Sequence, residues 1–267
     1  ILVCTPPKCG TTWTQTMTAM LLNGGPELSG PVSVISPWVD VDFGEPQDVA
    51  AALAQQNGRR VVKTHTPADG FPVWDGVTFI AVYRHPLDVF FSLRKHALNM
   101  KDNPDHPMKR PISEALKAYL STSYDFEDFD RDSLATVVRH YHETALKNRL
   151  PNFEKFHYTG MIADQRGTVQ RLANIVGVGS NNTLIDQITS ATGFETMRAE
   201  AHKFAPEGGK GFWNSDAAFF DSGGTDKWRG KISDADLTLY NARIAELVPD
   251  TAARNWLEFG ATAASLK

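Results

Sequence analysis

The chain has 267 residues, a formal net charge of −4 and two cysteines. That length allows one α/β domain or two smaller ones, and the slightly acidic balance argues against a general nucleic-acid binder, so any anion site must be a local cluster of Lys and Arg. No run approaches ~18 apolar residues, so no transmembrane helix is expected; Cys4 and Cys9 offer no disulfide framework, which fits a reducing, cytoplasmic setting.

Ile1 to Cys4 is a short apolar, β-branched run that reads as a buried parallel strand. Pro6 and Pro7 stop it, and Gly10 permits a tight turn. Thr11 and Thr12 then open a helix whose apolar residues Trp13, Met17 and Leu21 recur every four positions. No signal peptide is visible, and Ile1 reads as the middle of a strand, so a few residues are expected before it. A strand, a turn with Lys8 and a helix N-terminus together make an anion site, because free backbone N–H groups and the helix dipole point at one spot. The expected guest is a phosphate or sulfate ester. A Walker A loop needs G-x-x-x-x-G-K-S/T, whereas here Lys8 precedes Gly10.

The order Pro7-Lys8-x-Gly10-Thr11-Thr12-Trp13 resembles the 5'-phosphosulfate loop of PAPS-dependent sulfotransferases, whose pattern is P-K-S-G-T-T-W. PAPS is 3'-phosphoadenosine 5'-phosphosulfate, and PAP is its product. The resemblance implies that Lys8, Cys9, Gly10, Thr11, Thr12 and Trp13 contact this nucleotide. Cys9 replaces the family's Ser, a mild change if the loop binds through backbone N–H groups.

Asn23 to Pro26 ends the first helix with Gly and Pro signals. Residues 26–47 read as a loop in which Trp38 and Phe43 either cover a substrate or anchor the core, and Asp48 to Asn57 reads as a short helix. In Arg59 to Pro67, Lys63 and His65 lie two apart and so share one face of a strand. A cation beside a titratable imidazole suits chemistry on a transferring anionic group. The segment resembles the family's K-T-H-L-P, which implies that His65 is the general base.

Val77 to Arg84 reads as the clearest parallel strand, followed by a helix with Pro86 near its start. Arg84 to Ser92 is similar to the family's R-N/H-P-x-D-x-x-x-S, where Arg and Ser bind the 3'-phosphate; Arg84 offers a planar fork for phosphate oxygens. Residues 100–131 read as a long charged loop, either a lid over an acceptor pocket or a solvated acidic face. His96 and His106 read as surface or structural residues. Ser133 caps a helix, the next strand lies within Phe153 to Ile162, and further helices follow Asp164, Asn182 and Ser233.

Three later segments extend the resemblance. Tyr158 stands in the family's Y-E-D, with Thr159 and Gly160 replacing the acids. Thr192, Phe194 and Met197 resemble T-S-F-x-x-M, which implies an adenine held between apolar groups. Phe219 to Lys231 resembles F-R-K/S-G-x-x-G-x-W-R/K, which implies nucleotide contacts by Phe220, Ser222 and Gly223. Asp221 departs from this pattern, standing where the family has an Arg on the 3'-phosphate. Either Asp221 points away, Lys210 or Lys227 compensates, or PAPS binds weakly.

The resemblance runs along nearly the whole chain in family order. It implies a single α/β domain over residues 1–267, with a central parallel sheet flanked by helices and a P-loop-like phosphosulfate loop. The implied reaction moves a sulfuryl group from PAPS to a hydroxyl of a small-molecule acceptor, with an amine as the second choice and no metal. Lys8 would stabilise the departing phosphate, Lys63 the sulfuryl oxygens, and Ser92 would hold Lys8 back until the acceptor binds. The alternatives are a P-loop kinase-like phosphotransferase and a non-catalytic PAP-binding relative.

Overall fold

The computed structural model describes residues 1–40, 45–101, 103–179 and 181–260, so Phe43 lies outside the described residues. Among them, β1 (Leu2–Cys4), β2 (Val62–Thr64), β3 (Phe79–Tyr83) and β4 (Phe153–His157) form one parallel sheet in the order β2-β1-β3-β4. Its register pairs Val3 with Lys63 and Ile80, and Tyr83 with His157. The chain passes from β1 outward to β2 and then back across β1 to β3. That reversal leaves a crevice at the C-terminal ends of β1 and β3, where ligands of open α/β sheets bind.

The helices are α1 (Thr11–Asn23), α2 (Val32–Ile35), α3 (Pro46–Gln55), α4 (Pro86–Asn99), α5 (Ile112–Ser121), α6 (Leu134–His140), α7 (Tyr158–Ala163), α8 (Gln165–Ile175), α9 (Asn182–Ala191), α10 (Phe194–Ala199), α11 (Ala201–Phe204), α12 (Asp234–Leu247) and α13 (Thr251–Phe259). A π-helical turn, Tyr141–Leu146, continues α6. Strand alternation divides these helices between the two faces of the sheet. Phe79, Ala81 and Tyr83 join the core built with Phe90, Leu116, Val137, Tyr240 and Leu257. Ile80 and Val82 face Met17, Met20, Leu172 and Ile188. Every residue of β3 is buried, as expected of a strand covered on both sides.

The cap read at Ser133 is present, and further helix starts are capped as well. The Ser133 hydroxyl accepts from the Thr136 N–H, Asp164 accepts from Gly167, and Asn181 and Ser233 cap α9 and α12. Three expectations are corrected. Residues 26–47 contain the one-turn α2, and α3 begins at Pro46. The helix α13 was not foreseen at all.

The third correction is larger. Residues 100–131 are not one loop, because α5 lies within them. Ile112, Ala115, Leu116, Tyr119 and Leu120 recur at helical spacing, and the last four are buried. Charged flanks on both sides masked this short apolar stripe. Because Leu116 is 1% exposed in the core against β3, Leu116→Ala should lower unfolding free energy by about 2–5 kcal/mol. Equilibrium denaturation checks this, and a loss below ~1 kcal/mol would contradict the packing described.

Candidate functional site

The loop after β1 gathers donors at one point. Lys8 has φ 62° and Gly10 has φ 112°, so the chain turns sharply before α1. Any L side chain at Gly10 would be strained, and its Cβ would sit 3.1 Å from the Tyr158 ring. Gly10 caps α1 with no side-chain acceptor. The N–H groups of the first turn therefore remain open to an anion.

A cavity of about 600 Å³ lies over this helix end, at the C-terminal ends of the strands. Lys8, Gly10, Thr11, Thr12 and Trp13 form its floor, Lys63 and His65 arrive from the end of β2, and Arg84 and Ser92 from the end of β3 and from α4. Tyr158, Thr192, Phe194, Met197, Phe220 and Gly223 form the remaining wall on that side. Of the site residues expected from the sequence, Cys9 and Ser222 do not line the cavity: Cys9 is buried in the core beneath the loop, and Ser222 is exposed.

The second strand end is clamped by Asp40, which accepts from the Thr64 and Thr66 hydroxyls and, at 3.3 Å, from the Thr66 N–H. Trp38 runs beside β2, with the Lys63 ammonium 3.9 Å from its ring centroid. His65 packs edge-on to Trp38 at 4.8 Å, and its Nδ1 donates to the Thr5 carbonyl. A carbonyl only accepts, so Nδ1 carries the proton and the neutral ring leaves a lone pair on Nε2. Burial holds the His65 pKa well below its ordinary value; Lys63 adds to this and the Thr5 bond opposes it. His65 is thus neutral at neutral pH.

Cations crowd the same space. Burial, then Lys63, pushes the Lys8 ammonium down to about 7, with Asp132 opposing. Burial lowers Lys63 to about 8, opposed by Asp40 and Asp130. The Arg84 guanidinium lies 4.3 Å from the Tyr158 ring centroid and donates to the Gly224 carbonyl at 2.6 Å. The buried Thr11 Oγ1 and Arg84 Nε have no hydrogen-bond partner among the described residues. Unpartnered donors beside a bare helix N-terminus fit the oxygens of a phosphorylated nucleotide.

The wall around Thr192 and Phe194 is built on two tight packings. Trp13 Nε1 donates to the Thr192 carbonyl at 2.9 Å, and Gln165 donates to the Thr192 hydroxyl at 3.0 Å. Gly223 has φ 60°, and a Cβ there would come within 2.5 Å of the Phe194 ring. Only glycine allows that loop to lie on Phe194.

Asp221, the departure from the family pattern, is paired: Lys227 Nζ donates to it at 2.6 Å. Lys210 instead pairs with Glu207 at 3.1 Å. Asp88 ties this loop to α4, accepting from the N–H groups of Asp226 at 2.9 Å and Lys227 at 2.7 Å.

Several residues were missed in the sequence. Asp130 lines the cavity, in a run that read equally as a lid or a solvated face, and so does Asp132, just beyond that run. Burial, then Asp130, raises the Asp132 carboxyl to about 7. Phe212 and Trp213 also line the cavity. His96, read as surface or structural, lines it too and pairs with Lys8 Nζ at 2.9 Å. The signal was available: Asp88, Ser92 and His96 recur every four residues along α4.

A sulfotransferase domain model matches residues 1–252. The glycolipid sulfotransferase of Mycobacterium tuberculosis is 30% identical over 276 residues, covering 93% of this chain and 85% of that protein. Cytosolic sulfotransferase 17 of Arabidopsis thaliana is 25% identical over 217 residues, covering 75% of this chain and 60% of that protein. Among solved structures, retinol dehydratase with androsterone and the inactive cofactor PAP aligns at TM-score 0.72 and 18% identity, over 94% of this chain and 80% of its own. Mouse sulfotransferase SULT7A1 complexed with PAP aligns at 0.71 and 18% identity, over 96% of this chain and 86% of its own. These structures share the α/β fold with its parallel sheet flanked by helices. With the family model spanning almost the whole chain and its motifs converging on one cavity, the chain belongs to the PAPS-dependent sulfotransferase family.

Proposed function

We propose that this chain transfers a sulfuryl group from PAPS to a hydroxyl of a glycolipid-like acceptor, with His65 as general base. The observation that carries the reading is the His65 Nδ1 bond to the Thr5 carbonyl, which leaves Nε2 as a proton acceptor inside the cavity. PAPS, when bound, supplies an activated sulfuryl group on a phosphate leaving group.

The residues divide the work. His65 Nε2 takes the acceptor proton as the oxygen attacks. Lys8, beside the helix N-terminus, stabilises the charge that builds on the departing phosphate oxygen. Lys63, fixed on Trp38, supports the sulfuryl oxygens. Arg84 and Ser92 take the 3'-phosphate, and Phe194 and Met197 lie against the adenine. The Lys227–Asp221 pair keeps the carboxylate at the family's Arg position from acting as an uncompensated anion. Two buried free cysteines support a cytoplasmic setting.

The acceptor class rests on two observations. The related mycobacterial proteins are named glycolipid sulfotransferases. The cavity also joins aromatic walls, Trp38, Phe212 and Trp213, to the carboxyl groups of Asp130 and Asp132. Aromatic faces suit the apolar faces of sugars or lipid chains, and carboxyl groups suit their hydroxyls.

His65→Ala should lower turnover ~10²–10⁴-fold and leave nucleotide affinity nearly unchanged. Steady-state kinetics with PAP titration checks this, and near-normal turnover removes His65 from the mechanism. Activity should persist with a chelator present, because side-chain cations and the helix end carry the electrostatic work; strict Mg²⁺ dependence would favour phosphotransfer instead. Lys227→Met should weaken PAP about tenfold or more, because it leaves Asp221 as an uncompensated anion near the 3'-phosphate. An analogue lacking the 3'-phosphate should scarcely respond, and equal loss for both ligands would take Lys227 away from that phosphate.

A further inference from the structure

Resting on the reading of Lys8 as the residue that neutralises the leaving group, we propose that His96 is its positioning residue, docking the ammonium on Nδ1 against the aromatic wall formed by Trp213 and Phe219. The hydrogen bond is 2.9 Å long. An ammonium has donors only, so Nδ1 accepts and the imidazole is the neutral Nε2–H tautomer. The ring is itself fixed, edge-on to Trp213 at 4.6 Å and to Phe219 at 6.0 Å. Lys8 Nζ lies 4.4 Å from the Phe219 centroid, so ring and imidazole together hold it.

Sequence resemblance gives this task to Ser92, one helical turn earlier on α4. Ser92 lines the cavity, but the hydrogen bond of Lys8 goes to His96. The docking matters because the Lys8 side chain leaves a backbone at φ 62° and enters a group of like charges. Lys63, Lys227 and Arg84 disfavour its protonated form, and Asp132 favours it. His96 faces Lys8, Lys63 and His106, all of which keep it neutral, in addition to its burial. A neutral acceptor stabilises the ammonium without adding a carboxylate, which would repel the nucleotide phosphates. Removing it favours the neutral amine, so the Lys8 pKa falls; protonating His96 at acid pH would break the same bond.

The test measures Lys8 directly. Competitive acetylation of the free protein across pH, read by mass spectrometry of the Lys8 peptide, should give a titration near the value of about 7. His96→Leu keeps the apolar volume and removes the acceptor, and should move that titration down by about one pH unit or more. His96→Met is made in parallel, so that a folding failure of one variant leaves the measurement standing. His96→Asn, with Oδ1 in place of Nδ1, should return the titration toward the wild-type value. In sulfuryl transfer, His96→Leu should lower kcat about tenfold with KM for PAPS nearly unchanged, and shift the alkaline limb of kcat/KM to lower pH.

An unshifted or raised Lys8 titration in the apolar variants overturns the proposal, as does failure of Asn to restore it. The acetylation readout needs no turnover. A shifted titration in a protein that transfers no sulfuryl group would sustain the docking and sink the functional reading.

Discussion

Bringing several cations to one helix N-terminus, out of bulk water, is the constraint that organises this molecule. Lys8, Lys63, Arg84 and Lys227 all line one cavity. Burial, with Lys63, Lys227 and Arg84 adding to it, brings Lys8 to about 7, and burial brings Lys63 to about 8. Such a group is stable only with counter-charges at its edge or an anion at its centre. The carboxylates are placed at the edge: Asp221 on Lys227, Asp88 beneath Arg84, Asp40 behind Lys63. The centre is left to a polyanionic nucleotide.

Two of these carboxylates also hold neighbouring loops in place through hydrogen bonds. Asp88 lies 3.9 Å from Arg84 Nε, but its short contacts are to the Asp226 and Lys227 N–H groups. It therefore fixes the loop that carries Lys227. Asp40 accepts from three groups of the Thr64 to Thr66 turn and so sets the direction in which His65 leaves β2. His65, the proposed general base, is oriented from the other side by Thr5, whose N–H bonds the Thr64 carbonyl at 3.2 Å and whose hydroxyl accepts from Val82 at 3.1 Å. One residue at the end of β1 thus ties together the ends of three strands.

The half of the cavity proposed to take the acceptor is made differently. Trp213, Phe212 and Phe219 come from a segment with little regular structure, and Asp130 and Asp132 from the approach to α6. This wall rests on α4 through the Asn99 side chain, which donates to Ser215 at 2.9 Å and accepts from its N–H at 3.1 Å. The groups proposed to meet the nucleotide come from the strand ends, the loop after β1, helices α4 and α10 and the 220–227 loop, and those proposed to meet the acceptor come from separate loops, an arrangement that lets specificity change without disturbing the phosphate site.

The grouping of Lys63 and His65 with Lys8, Arg84 and Ser92 came from the family resemblance, while the sequence by itself determined the strand–loop–helix joint, the clearest strand, the cap at Ser133 and the shared face of Lys63 and His65. These are local matters: a turn needs Gly10, a helix start needs its cap, and alternation in a strand decides which side chains share a face. The helix α5 was legible too, but its apolar stripe is short and its charged flanks outweighed it. Only the tertiary structure decided that Lys227 rather than Lys210 answers Asp221, that Asp130 and Asp132 turn inward, and that His96 meets Lys8 across 88 positions of chain. Those outcomes depend on which exposed-looking charges are brought together when distant loops close over one cavity. The balance of burial against pairing that settles them exists only after the chain has folded.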